Sequence, residues 1–337
     1  MTSRETTSAR VAVIVLTTLG CLALAVWSVA SPRFFKEGAR LYAYRNFLMS
    51  PVRRRFPKRP LVVWMGDSTI AKSGKKRQYP TLVERGLEGV HAIESFNRSF
   101  PGADAYVHYS TMGRVLELDP AAVFIVANLR IMKPVALGIG VLQFASLIPR
   151  EELPRTALLP WYGRGTTFPR VLLARALDWK LVDSGAYVIQ GAREVFHDAV
   201  WTTRPRRRAR WPYENIMNAI RALGEPISSS SPMVQMLAAS VRMAASHGVP
   251  VTVVVAPVLG ENLEQRFGDR FGERFAMLRS VVERAGGELV DLHDLLTKYE
   301  FHDLSGHYTP GGAAHIADVL SPIVRRRVAE GTRPRHE

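Results

Sequence analysis

The chain has 337 residues, with 45 Lys+Arg against 30 Asp+Glu, a formal net charge of +15 and one cysteine, Cys21. A hydrophobic content of 47% supplies a packed core and excludes wholesale disorder, while the lone cysteine excludes a disulfide framework and a cysteine-based zinc site. The basic runs at 53–55, 75–77, 204–210 and 325–327 sit on separate segments without interleaved aromatics or heptads, which speaks against a nucleic-acid-binding protein and fits an anionic membrane surface equally well.

Residues 1–10 form a short N-terminal tail, followed at 11–30 by 20 residues without a charge. A helix of that length matches a hydrocarbon core of ~30 Å, and the segment lacks the polar stripe of a buried core helix. It reads as a single membrane anchor, the rival being a cleaved signal peptide ending at the small-x-small site Ser28-Val29-Ala30. Arg33, Lys36, Arg40 and Arg45 after the segment outnumber Arg4 and Arg10 before it, which by the positive-inside rule favours a cytoplasmic C-terminal domain. Long domains translocate with little regard to such charges, so the orientation stays open on this ground. Residues 31–60, basic and proline-containing, are expected to be a juxtamembrane connector.

Strands are predicted at 61–65, 121–126, 249–255 and 288–292, with a weaker one at 92–96. Helices are predicted at 79–87, 105–118, 232–246, 261–285 and from Pro310 to about Val328. Short apolar strands alternating with helices imply an α/β fold with a central parallel sheet covered on both faces. The alternation is interrupted by a mainly helical insertion at 130–248. It contains the uncharged run 134–149, flanked by Lys133 and Arg150, suited to an interfacial, partner-binding or core helix. Trp161, Trp179, Trp201 and Trp211 in the insertion fit either a core or a sugar groove. The arginine runs fit a solvated surface or an anionic lipid or glycan.

Three points carry chemistry. Gly66-Asp67-Ser68 stands at the carboxyl end of the first strand, the edge where open α/β sheets bind ligands. A serine hydroxyl needs a base, and the base needs an orienting group; Asp303 and His307 on one C-terminal loop can supply both. Gly102 and Asn128, after the second and third strands, can donate to an oxyanion. Taken singly, these residues also fit a turn glycine, a strand-end cap and a loop histidine that caps the last helix. The histidines have no ligand spacing for a metal, and no cofactor motif is present.

In that order Ser68, Gly102, Asn128 and His307 resemble the four blocks of the SGNH superfamily, also called GDSL esterases and lipases. The resemblance covers 61–129 and 249–330 and implies a three-layer, flavodoxin-like α/β fold. It also implies that Ser68 is the nucleophile, His307 the base and Asp303 its orienting acid, with the Ser68 amide, the Gly102 amide and the Asn128 side chain as oxyanion hole. Two departures stand out. The third block reads Val126-Ala127-Asn128-Leu129-Arg130 rather than Gly-x-Asn-Asp, and the Asp303 to His307 spacing is one residue longer than in the family.

An N-terminal span before such a domain is similar to membrane-tethered proteins that O-acylate cell-envelope polymers. That likeness implies an extracytoplasmic (periplasmic) domain, a multi-span membrane O-acyltransferase as partner, and acetylation of a glycan through an acyl-serine. The other readings are an esterase or lipase hydrolysing an ester substrate and a non-catalytic scaffold.

Overall fold

A computed structural model describes residues 15–20, 54–71, 78–99, 103–127, 228–258, 270–302 and 307–332. The strands are β1 (Leu61–Met65), β2 (Glu94–Asn97), β3 (Ala122–Ala127), β4 (Val251–Val255) and β5 (Glu288–Asp291). They form one parallel sheet in the order β2-β1-β3-β4-β5, the doubly wound, flavodoxin-like order. The helices described here are α1 (Ser68–Ala71), α2 (Tyr79–Gly86), α3 (Ala105–Leu116), α4 (Pro232–Ser246), α5 (Arg270–Arg284) and α6 (Pro310–Gly331).

The two-residue repeat of an extended chain divides the strand side chains between two cores. Val63, Met65, Ile125, Val253 and Val255 join α3, α4 and α5 on one face. Val62, Trp64, Phe124, Val126 and Val254 join α2 and α6 on the other. Both faces are covered, so the inner strands are continuous apolar runs; β1, β3 and β4 are buried along their whole length. The edge strand β2 (ESFN) buries only Glu94 fully, which is why its sequence signal is weak.

Three of the expected segments take definite places in the structure. Helix α4 falls inside the predicted 130–248 insertion, yet Val234, Leu237, Val241 and Ala244 are buried in the sheet core, so α4 is the crossover helix between β3 and β4. Of the helix expected at 261–285, the described part is Arg270–Arg284. The end of the connector is fastened to the domain. The buried Glu94 carboxylate accepts from the Arg55 amide at 2.7 Å and from Arg54 Nε at 3.2 Å, while Glu84 pairs with the Arg55 guanidinium at 2.8 Å.

The basic cluster on α6 also has partners. Arg326 reaches Glu288 at 2.5 Å, and Arg327 meets Glu330 at 2.6 Å and donates to the Val251 carbonyl at 2.8 Å. These two arginines therefore clamp α6 to the amino ends of β4 and β5 rather than forming a free cationic patch.

Of the expected anchor at 11–30, residues 15–20 are described; they are helical, with Val15, Leu16 and Leu19 exposed. Among the described residues, no helix is long and apolar enough to cross a membrane. The rest of the span, the run 134–149, the four insertion tryptophans and the basic runs at 75–77 and 204–210 lie outside the described residues.

Candidate active site at the carboxyl edge

β1 ends at Met65, and the chain turns through Gly66 and Asp67 so that Ser68 opens α1. Close approach favours glycine at 66: a Cβ there would lie 2.5 Å from the side-chain tip Ile70 Cδ1 and 3.2 Å from Val126 Cβ, so both neighbours would have to give way. Asp67 is buried, and its carboxylate accepts from the Thr69 amide at 2.8 Å, capping the helix that Ser68 begins. The Gly-Asp-Ser run thus has a local physical reason: a residue without Cβ to pass β3, a cap, and then the first helical residue.

The sheet register brings other chain ends to this corner. Met65 pairs with Ile125, so β3 leaves the sheet at Ala127, level with the turn and immediately before position 128. On the other side Trp64 pairs with Asn97, the last residue of β2. Asn97 donates to Gln78 Oε1 at 2.7 Å and accepts from the Ser99 amide at 2.9 Å, tying the exit of β2 to the entry of α2. Sequence reasoning missed this pair; the clue was a polar residue at each of two adjoining element ends. Gly102, Asn128 and Asp303 lie outside the described residues.

His307 is half-buried and stands three residues before Pro310, where α6 begins. An antiparallel bridge pairs Phe301 with Tyr308, and the His302 amide donates to the His307 carbonyl at 2.6 Å. The Thr309 amide and hydroxyl both donate to the Glu300 carbonyl, at 2.8 and 3.1 Å. Thr309 also caps α6 by accepting from the Gly312 amide at 3.2 Å. Gly312 must be glycine here, since a Cβ would stand 2.5 Å from the Glu300 carbonyl oxygen. The helix cap expected of the histidine is therefore made by Thr309.

The two regions meet at Tyr79. Its ring lies 5.8 Å edge-on from Trp64 of β1 and 6.4 Å from Tyr308, the neighbour of His307. Burial first, and then the charges of Tyr308 and Asp67, push its phenol well above its ordinary range. Trp64 on β1 and Tyr308 beside His307 thus both pack against one buried ring.

A second carboxylate–imidazole pair went unpredicted. At the end of β5, His293 Nδ1 lies 2.9 Å from Asp291 Oδ1, which also accepts the His293 amide at 3.1 Å, and Phe275 stacks on the ring at 4.4 Å. Burial raises the Asp291 pKa, but the His293 hydrogen bonds and the charges of His293 and Arg279 more than offset this and hold it below its usual value. The pair closes the turn that follows β5, and β3 and β4 stand between that strand and β1.

Among the described residues no group of His, Cys, Asp or Glu could hold a metal ion.

No family model matches the sequence, and no curated protein matches it. Solved structures similar in fold include TesA, at 12% identity and a TM-score of 0.42 over 79% of this chain and 99% of that one. A GDSL-like lipase from Bacteroides thetaiotaomicron VPI-5482 has 10% identity and a TM-score of 0.38, covering 87% and 98%. Axe2, an acetyl xylan esterase from Geobacillus stearothermophilus, has 10% identity and a TM-score of 0.39, covering 80% and 94%. At such identities and scores these likenesses carry no functional argument; the fold description rests on the strand order and the two cores.

Proposed function

We propose that the chain is a membrane-tethered serine acyltransferase or esterase of the SGNH type, working through an acyl-serine intermediate. The observation that supports this reading is the convergence at Tyr79: Trp64, on the strand that leads into the Ser68 turn, and Tyr308, the neighbour of His307, both pack against that one ring. In the proposed reaction Ser68 Oγ attacks the acyl carbonyl as His307 takes its proton. The tetrahedral oxyanion is held by the amides of Ser68 and Gly102 and by the Asn128 side chain. Collapse expels the leaving group, which takes the proton back from His307. An acceptor hydroxyl then attacks the acyl-serine as His307 takes its proton. The second tetrahedral intermediate collapses, the bond to Ser68 Oγ breaks, the new ester leaves and Ser68 Oγ takes the proton back from His307, with Asp303 orienting the imidazole throughout.

The apolar segment 11–30 supports a tethered protein acting on a polymer of the cell envelope, with O-acetylation of a glycan as the finer reading and a multi-span acyltransferase as donor partner. On this reading the domain is extracytoplasmic. Water in place of the sugar hydroxyl makes the same machinery an esterase, so the acceptor decides between them.

The full chain in detergent or nanodiscs should release p-nitrophenol from p-nitrophenyl acetate, and Ser68→Ala should lose at least about a thousandfold in kcat while melting as the parent does. Acetyl transfer to an added oligosaccharide, followed by mass, separates transfer from hydrolysis. Unchanged turnover in Ser68→Ala would contradict the proposal.

A further inference from the structure

We propose that Tyr308 is a positioning residue for His307, registering the imidazole against the Ser68 turn through an aromatic chain that ends on β1 and β3. The inference rests on the catalytic reading above and names a residue which that reading does not use.

Tyr308 sits in an isolated antiparallel bridge with Phe301, and neighbouring side chains of an extended backbone alternate, so the buried Tyr308 and the half-buried His307 leave the chain on opposite sides. Tyr308 is only 6% exposed. Its ring lies 5.7 Å from Phe301 and 6.4 Å from Tyr79; Tyr79 lies edge-on to Trp64 at 5.8 Å, and Trp64 stacks on Phe124 at 4.6 Å. Tyr308 Oη donates to the Pro257 carbonyl at 3.4 Å, so the ring is also fastened to the segment leaving β4. The His307 carbonyl is held from the other side by the His302 amide. Trp64 stands four residues before Ser68 on a rigid, fully buried strand. Among the described residues, packed rings thus link the strand that leads to Ser68 with the loop that bears His307.

A base must stay within hydrogen-bond reach of the hydroxyl it serves, and a displacement of about 1 Å costs about a hundredfold in rate. Tyr308→Leu removes the flat ring and the hydroxyl and lets the loop shift. Tyr308→Phe keeps the ring and loses one long hydrogen bond.

The experiment measures the rate of fluorophosphonate attachment to Ser68 between pH 5 and 9 in the full chain, together with thermal melting. Val324→Ala, in the same core on α6 and remote from the site, serves as a destabilised control. We expect Tyr308→Leu to slow labelling at pH 7 by about tenfold or more and to flatten its pH profile. Tyr308→Phe should restore the rate to within about threefold of the parent, and Val324→Ala should leave it unchanged. If Tyr308→Leu does not fold, Tyr308→Met carries the same expectation. Labelling of Ser68 in the parent with an undiminished rate in the leucine or methionine variant overturns the positioning role alone, as does equal slowing in Val324→Ala. No labelling of Ser68 in the parent overturns the catalytic reading and this inference with it.

Discussion

His108 on α3 is buried to 1% exposure, and among the described residues neither ring nitrogen has a hydrogen-bond partner. Burial pushes its pKa from 6.5 down to about 4. Between those values the unfolded chain binds a proton that the folded one refuses, so stability falls as pH drops, by about 3 kcal/mol once pH is below 4. Asp104, the cap of the same helix, works in the opposite sense: burial raises its pKa, and the folded state gains as it protonates. Subtracting the urea-unfolding free energies of His108→Leu and the parent at each pH isolates the histidine. The variant should be at least as stable as the parent at pH 7, because an unpartnered polar ring is replaced by an apolar group of similar size. Its advantage should widen toward pH 4; a constant difference across that range would refute this account of His108.

Among the elements, β1, β3 and β4 were legible because burial on both faces writes an uninterrupted apolar run into the sequence. β2 was barely legible, since an edge strand with a buried, arginine-paired glutamate looks like a polar loop. Arg54, Arg55 and Arg326 read as free positive charge for a related reason: their partners Glu84, Glu94 and Glu288 lie 29 to 40 residues away and meet them only after folding. Glu94 holds two backbone amides as well as Arg54 at the end of the connector. Glu94→Ala should therefore free 54–59, seen as trypsin cleavage there about tenfold faster than in the parent, at a cost of about 1–3 kcal/mol in stability. Equal cleavage rates would mean that the connector is held by something else.

Across the whole molecule, a parallel sheet places every strand exit at one edge and the connector at the other. The parallel sheet, read from the alternation of apolar runs and helices, was sufficient to expect Ser68 at that exit edge. The link between Ser68 and the C-terminal loop was not legible. Tyr79 and Tyr308 are separated by more than 200 residues, and neither stands in a motif; the Asp291–His293 pair was passed over because Asp-x-His in a turn has no spacing signature. The central claim is that Ser68 is a nucleophile served by His307, and mapping a fluorophosphonate adduct by peptide mass tests it most directly. The account predicts an adduct on Ser68 in the folded parent, formed about a hundredfold more slowly in His307→Asn. An adduct on another serine, or one formed on Ser68 at equal rates in both proteins, would contradict it.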